Sequence, residues 1–128
     1  MLKRDQIDEL EKLLGQLKAV HTELSALAKK SPADGVNQFK LQFINRTLKS
    51  CNAFLGKKYK PFAEFEDFNA DDVPSNSDVT FIVSQYMQAS EKFRADNIYK
   101  EEFGSRWYYA SADRGEKIQT GPPTKIQD

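Results

Sequence analysis

Apolar residues recur at alternating intervals of three and four along the first thirty residues, and this spacing constrains the fold more than any other feature. The series is Ile7, Leu10, Leu14, Leu17, His21, Leu24 and Ala28. Good helix formers fill the positions between them, so the pattern predicts one helix of about 25 residues ending before Pro32. Leu13, Val20 and Leu27 widen the stripe along one flank. This width favours packing in a helical bundle, either within the chain or across a dimer.

The length and the aromatic content indicate one folded domain. The chain has 128 residues, of which nine are Phe, five Tyr and one Trp. Such a chain can bury a core of its own, and we expect neither a metal nor a cofactor to be needed for folding. Cys51 is the single cysteine, so the chain forms no intrachain disulfide.

A second helix is expected to return along the first. The tetrapeptide SPAD at residues 31–34 resembles a capping box with Pro at the first helical position, and Gly56 is a natural C-terminal stop. Between them, apolar residues recur at helical spacing at Val36, Phe39, Phe43, Ile44, Leu48, Cys51 and Leu55. Because the connection is short, we expect an antiparallel hairpin.

A third helix is predicted from about residue 76 to residue 97 by the same periodicity. Ser75, followed three residues later by Asp78, matches a capping box at its start. In the segment 57–74 we expect one or two short helical turns that lay Phe62, Phe65 and Phe68 across the hairpin.

The C-terminal part predicts a small β-element. Residues 106–111 and 116–120 flank a turn-like ADRG sequence and suggest a β-hairpin. The expected fold is therefore mainly α: an antiparallel helical hairpin with a third long helix, forming a three- to four-helix bundle, and a C-terminal β-hairpin or irregular tail. We expect a single domain over residues 1–120 and a flexible tail over residues 121–128.

Charge is balanced overall but divided along the chain. Residues 1–60 contain twelve Lys/Arg and six Asp/Glu, whereas residues 61–128 contain seven and thirteen. Five basic residues of the second helix and the run after it form a stripe that suits phosphate contacts: Arg46, Lys49, Lys57, Lys58 and Lys60. A helical nucleic-acid-binding protein is therefore one alternative function, although a solvated helix face explains the same residues.

The acidic stretch at residues 65–79 has part of the ligand spacing of an EF-hand. Carboxylate or amide side chains occupy positions 1, 3, 5 and 12 of a twelve-residue loop: Asp67, Asn69, Asp71 and Asp78. However, Asp72 stands where the loop needs Gly, and Pro74 lacks the N–H of the usual apolar position. The helix cap at Ser75 and Asp78 is the stronger interpretation. A metal-dependent enzyme using Asp67, Asp71, Asp72 and Asp78 is a weaker alternative.

No catalytic motif is recognisable, and His21 and Cys51 lie on apolar stripes where a core position is expected. We therefore expect a non-enzymatic protein-interaction or regulatory module that self-associates through its first helix, a dimer being favoured, or that binds another protein. The expected interface residues are Leu10, Leu14, Leu17, His21, Leu24, Trp107 and Tyr109. The N-terminal sequence lacks the apolar core of a signal peptide and no run approaches a membrane span, so a cytoplasmic protein without membrane partners is expected.

Overall fold

Three helices packed against one another form most of the structure, a computed structural model that describes residues 1–113 and 115–125. The helices are α1 (Arg4–Lys30), α2 (Gln38–Tyr59) and α3 (Asn76–Ala95). A three-stranded antiparallel sheet follows in the order β1 (Ile98–Lys100), β2 (Trp107–Tyr109) and β3 (Gln119–Thr120). The mainly α prediction is confirmed. Among the described residues, no helix combines the length and the apolar character that crossing a membrane requires.

The helical hairpin of α1 and α2 is antiparallel, as the sequence predicts. Lys40 near the start of α2 pairs with Glu23 in the second half of α1, while the Thr47 hydroxyl bonds to Gln16 further back along α1 at 3.5 Å. The stripe of α1 is buried against α3, because Leu13, Leu17 and Leu24 share a core cluster with Val79, Val83 and Tyr86. The apolar period of α1 thus encodes packing within the chain.

The prediction that SPAD begins the second helix is wrong. The backbone N–H of Ser31 donates to the carbonyl of Leu27 at 2.8 Å, so Ser31 ends α1. The side chain of Asn37 caps α2 instead, accepting from the N–H of Lys40 at 3.2 Å. The turn between them is held by the start of α3: Val36 donates to the carbonyl of Pro74 and Asn76 donates to that of Asp34. These tertiary hydrogen bonds override the local capping signal.

The chain between α2 and α3 contains one short helical turn, in agreement with the predicted one or two, and otherwise forms neither helix nor strand. A single 3-10 turn, Ala70–Asp72, is the one short helical element in this segment. Two asparagines of α2 hold the backbone: Asn45 exchanges two hydrogen bonds with Phe68, and the Asn52 amide donates to the carbonyls of Phe65 and Glu66. The expected burial of the aromatic rings is confirmed, since Phe62, Phe65 and Phe68 stack edge to face against the core.

Two end signals that the sequence supplies are confirmed. Gly56 has φ 68°, outside the helical region, and marks where the backbone leaves the regular path of α2. The Ser75 hydroxyl accepts from the N–H of Asp78 at 3.1 Å and caps α3.

The C-terminal sheet contains the expected hairpin and one strand that the sequence did not indicate. Trp107 pairs with Thr120, and Tyr108 pairs with Gln119. β1 adds to the other edge of β2 because α3 ends at Ala95, two residues earlier than expected, and Ile98 then pairs with Tyr109. The N-terminus joins this layer, since the Leu2 N–H donates to the carbonyl of Ala110 at 2.8 Å.

The division into a domain over residues 1–120 and a flexible tail over 121–128 stays a prediction. Residues 121–125 are exposed, but several of them bond to α3 through their backbone. Residues 126–128 lie outside the described part of the chain.

Substitution of Asn52 tests the hydrogen bonds that hold the connection between α2 and α3. Asn52 is buried, accepts from the Tyr86 hydroxyl at 2.7 Å and donates to two carbonyls at 3.2 Å. Because Asn52→Ala leaves the buried Tyr86 hydroxyl and two partly buried carbonyls without this partner, we expect it to lower the free energy of unfolding by about 3 kcal/mol. Urea denaturation measures the change.

A double-mutant cycle with Tyr86→Phe provides the control. The Tyr86→Phe substitution should cost less in the Asn52→Ala background than in the wild-type chain, because the hydroxyl already lacks its acceptor there. Equal costs in both backgrounds would show that the bond contributes nothing to stability.

Candidate interaction surfaces

The residues expected to form a dimer interface lie mainly in the core of the chain itself. Leu10, Leu17, Leu24 and Tyr109 are each no more than 2% exposed. The other three of the set are partly buried: Leu14, His21 and Trp107. In this fold the apolar stripe of α1 is covered by α3 and the sheet, so a second copy would have to dock elsewhere. Self-association itself stays a prediction.

The basic residues of the predicted stripe are dispersed by the local structure. The Arg46 guanidinium lies over the ring of Phe43 at 5.2 Å from its centre, while Lys49 pairs with Asp67 at 3.3 Å. The break at Gly56 turns the following residues away from the helix path, and the ammonium group of Lys58 lies over its neighbour Tyr59. Lys57 is exposed and Lys60 is half-buried. Arg46 and Lys49 therefore share the α2 surface, whereas the last three lysines follow the break.

Two phenylalanines of α2 point outward, although the sequence pattern placed them with the core residues. Phe39 is 67% exposed and Phe43 is 45% exposed, and their rings meet edge to face with centres 5.1 Å apart. With Arg46 stacked on Phe43, the three residues form one surface, which we call the aromatic face. It borders a cavity of about 480 Å³ between α1 and α2, whose apolar wall includes Leu13 and Val20.

The acidic side chains of residues 65–79 lie in different local surroundings and have different partners. Asp67 pairs with Lys49, and Asp78 lies in the first turn of α3. Asp71 and Asp72 lie in the exposed 3-10 turn, followed by Val73, which is also exposed and has φ 46°. Among the described residues, no three His, Cys, Asp or Glu side chains come together as a metal site requires. The EF-hand interpretation of Asp67, Asn69, Asp71 and Asp78 therefore has no support in the geometry.

His21 and Cys51 do not form a reactive pair. Nδ1 of His21 lies 3.5 Å from the hydroxyl of Ser25 on the same helix. Burial, with a smaller contribution from Glu9, raises the pKa of the Cys51 thiol to about 12. A thiol with so high a pKa is protonated at neutral pH and is a poor nucleophile.

A buried ion pair on α3 is the most highly connected polar group among the described residues, and the sequence pattern gave no sign of it. Arg94 and Glu91 are each 7% exposed and bond to each other at 2.7 Å and 2.8 Å. Charged residues three apart on a helix are usually solvated, and nothing in the sequence distinguishes a pair that the fold buries. The partners that bury this pair come from the end of the chain.

The C-terminal segment completes the hydrogen bonding of the ion pair. Arg94 donates further to the Thr120 hydroxyl and to the carbonyls of Gly121 and Pro122, at 2.7–3.0 Å. Thr124 donates both its backbone N–H and its hydroxyl to Glu91, at 2.8 Å and 3.0 Å. Together with the two bonds to Glu91, these use every N–H of the guanidinium. The segment from Thr120 to Thr124 is thus held by side chains of α3.

A cavity of about 550 Å³ lies beside this ion pair, between α1, α3 and the C-terminal segment. Its wall includes Leu14 and Met87 from the helices, Tyr109 from the sheet, and Gly121. Burial raises the pKa of the Tyr109 hydroxyl, with Thr120 and Arg94 acting against it. The cavity therefore combines an apolar wall with a buried polar group that is already satisfied.

The protonation of Glu91 reflects two opposed effects. Burial acts to raise the pKa of its carboxyl, but hydrogen bonds from Arg94 and Thr124 together hold the pKa below the ordinary value of 4.5. Because the pKa of Glu91 is lower in the folded state than in the unfolded state, the Glu91 carboxylate stabilises the fold at pH values above the ordinary pKa. This stabilisation is lost as the pH falls through the folded-state pKa.

Replacement of Glu91 gives a pH-dependent prediction. At pH 7 we expect Glu91→Gln to lower the free energy of unfolding by about 3–5 kcal/mol, since it leaves the buried Arg94 charge without a counter-ion. The difference in free energy of unfolding from wild type should narrow as the pH falls from 4.5 through the lower folded-state pKa, at which the native carboxyl also becomes neutral. Chemical denaturation across this pH range measures it.

The matched control for this prediction is Glu102→Gln, which removes a carboxylate from an exposed position. It should change the free energy of unfolding by less than about 0.5 kcal/mol at pH 7. If the difference in free energy of unfolding between Glu91→Gln and wild type stays constant with pH, the stabilising role assigned to the Glu91 carboxylate is wrong.

Comparison of the chain with known protein families, with curated proteins and with solved structures found no match.

Proposed function

We propose that the chain is a non-enzymatic protein-interaction module that self-associates, with the aromatic face of one copy docking on the acidic turn of a second copy, which consists of Asp71, Asp72 and Val73. The observation that carries the proposal is the outward position of Phe39 and Phe43, which stack on each other beside Arg46. Adjacent aromatic rings and an arginine are the side chains that most often anchor protein interfaces. A cytoplasmic location stays a prediction.

Exposure of the two rings favours an interface over a purely structural role. Leu41, Ile44 and Leu48 supply the buried side of α2, so the fold does not need Phe39 and Phe43 for its core. Both rings border cavities between α1 and α2, which offer room for apolar side chains of a partner. Docking would remove apolar ring surface from water, a gain of about 25 cal/mol per Å² buried.

Charge complementarity favours a second copy as the partner. The α2 surface between residues 38 and 59 carries basic side chains and no Asp or Glu. The acidic turn presents Asp71, Asp72 and the exposed apolar Val73. Within one chain, Lys49 of α2 already pairs with Asp67, which lies shortly before the acidic turn. Between copies, such contacts would set the orientation more than the strength of the complex.

A charged substitution on the aromatic face tests the proposal. We expect the wild-type chain to be a dimer at micromolar concentration by light scattering, and Phe43→Asp to shift it to monomer, because a carboxylate would have to be desolvated in the interface. Phe103→Asp is the matched control, since Phe103 is 90% exposed and belongs to the connection between β1 and β2. It should leave the dimer intact.

Charge reversal separates the acidic turn from the aromatic face. Asp71→Lys with Asp72→Lys should weaken the dimer, and adding Arg46→Glu should restore part of the affinity. A wild-type chain that is monomeric at micromolar concentration would refute self-association.

A nucleic-acid-binding role is the second candidate, and the same exposed rings favour it. Phe39 and Phe43 offer faces on which bases can stack, and the cations of Arg46 and Lys49 lie on the same helix. The remaining cations of the predicted stripe are Lys57, Lys58 and Lys60.

Salt dependence tests this second candidate. A single-stranded oligonucleotide should bind more weakly as the salt concentration rises. The double variant Arg46→Gln, Lys49→Gln should have a shallower slope of log K against log salt concentration. The slope should change by about 0.7 for each phosphate that the variant no longer neutralises. Lys3→Gln is a control on an exposed lysine outside α2. Absence of binding at about 50 mM salt would remove nucleic acid from consideration.

A further inference from the structure

The segment from Thr120 to Thr124 is held in the way that a bound peptide is held. Residues 121–125 are exposed, yet their polar groups bond to side chains that are buried. The carbonyls of Gly121 and Pro122 accept from Arg94, and Thr124 donates twice to Glu91. These contacts involve the backbone and threonine hydroxyls. An extended segment from another chain, with Thr at the same two places, can make the same bonds.

The two prolines of the segment suit such recognition. Pro122 and Pro123 have fixed φ and no N–H, so the backbone facing Arg94 presents acceptors only. A proline pair also favours the extended polyproline conformation before binding, which reduces the entropy cost of ordering the segment.

The resident segment leaves space at Gly121. This glycine lines the cavity of about 550 Å³ together with Leu14 and Met87. An ideal Cβ built on Gly121 meets no atom within 4 Å, and Gly121 is not among the glycines with positive φ. A side chain at this position is therefore sterically and conformationally allowed.

We propose that the groove between α1 and α3 is a recognition site for an extended Thr-Φ-Pro-Pro-Thr segment of a partner protein, where Φ is an apolar residue that fills the cavity beside Leu14 and Met87. Residues 120–124 of the chain occupy the site as an internal substitute that lacks the Φ side chain. The buried Glu91–Arg94 pair hydrogen-bonds to the backbone of the bound segment and to its second threonine. The site lies on α3 and is separate from the aromatic face of α2.

A partner protein fits this site better than a second copy of the chain. Every copy already satisfies its own Glu91–Arg94 pair, and the segment of a second copy also has glycine at position 121. Exchange between copies would therefore bring no new interaction. A segment with an apolar Φ residue gains burial that the internal substitute lacks, and this gain is needed because the tether keeps the substitute at a high effective concentration.

Binding of synthetic peptides to the full chain tests the proposal. The probe is the octapeptide of residues 118–125 with Gly121→Leu, carrying a fluorescent label and measured by anisotropy. It should bind about tenfold more tightly than the octapeptide with Gly121 retained, since burying a leucine side chain is sufficient for a factor of that size. Adding Thr124→Val to the leucine octapeptide should weaken binding about tenfold, because the valine side chain cannot replace the hydroxyl that donates to the Glu91 carboxylate, although the backbone N–H still can.

Substitution in the chain provides the reciprocal measurement. Thr124→Val in the protein weakens the internal substitute, so the leucine octapeptide should bind this variant several-fold more tightly than wild type. Arg94→Lys should abolish binding. The peptide-side Thr124→Val control needs no change to the protein, so the test remains valid if Arg94→Lys fails to fold.

Several outcomes would overturn the proposal. They are an absence of saturable binding to either wild type or the Thr124→Val chain at millimolar peptide, and equal binding of the threonine and valine octapeptides. Formation of a dimer by the Gly121→Leu chain in a Phe43→Asp background would replace the partner protein with a second copy. Titration of the Phe43→Asp chain with the leucine octapeptide separates this site from the aromatic face, since peptide binding should be unchanged there.

Discussion

The hydrogen bond from the Tyr86 hydroxyl to Asn52 is the interaction on which the arrangement of α2, α3 and the long connection between them depends. Tyr86 is fully buried at the centre of the core, so its hydroxyl must have a partner inside the protein. Asn52 supplies the acceptor, and its amide nitrogen is then free to donate to the carbonyls of Phe65 and Glu66. The Asn52 side chain thereby joins α2, α3 and the segment that connects them. Burial also raises the pKa of Tyr86 to about 12, so this arrangement is insensitive to pH through the neutral range.

The same physical solution appears twice in the molecule. Extended backbone outside a sheet needs partners for its N–H and C=O groups. Around Phe65 and Phe68 these partners are the asparagines of α2, and around Gly121 and Pro122 they are charged groups of α3. In both cases, side chains on a helix replace the neighbouring strand that a sheet would provide. The two cases differ in covering: Phe65 and Phe68 are half-buried, whereas residues 121–125 are exposed.

The sequence predicts the helices well because their signals are local. The period of α1, the stop at Gly56 and the cap at Ser75 each depend on residues a few positions apart, and all three are confirmed. The turn before α2 is held by hydrogen bonds that join Val36 to Pro74 and Asn76 to Asp34, which no local signal reveals. Phe39 and Phe43 belong to an apolar stripe wider than the buried face of α2, and periodicity alone does not tell which edge the fold covers.

The candidate sites were less predictable than the fold for a related reason. Glu91 and Arg94 have the spacing of an ordinary surface pair, and their importance comes from residues 120–124, far along the chain. In the sequence, Asn45 and Asn52 are likewise ordinary polar residues of a helix. Their role follows from the hydrogen bonds that they make to residues 65–68. Polar residues acquire a role from their long-range partners, and sequence spacing does not encode those partners.

The packing of α1 against α3 has a consequence for how the chain is synthesised. Leu17 and Leu24 share a core cluster with Val79, Val83 and Tyr86, which emerge from the ribosome long after α1 is complete. At a synthesis rate of about 5–20 residues per second, the leucine stripe of α1 waits several seconds for its cover. During that interval the 27 residues that form α1 carry apolar side chains that are not yet fully covered. Transiently exposed apolar surface of this kind is what chaperones bind, and Phe39 and Phe43, which stay exposed even in the final fold, add to it as α2 emerges.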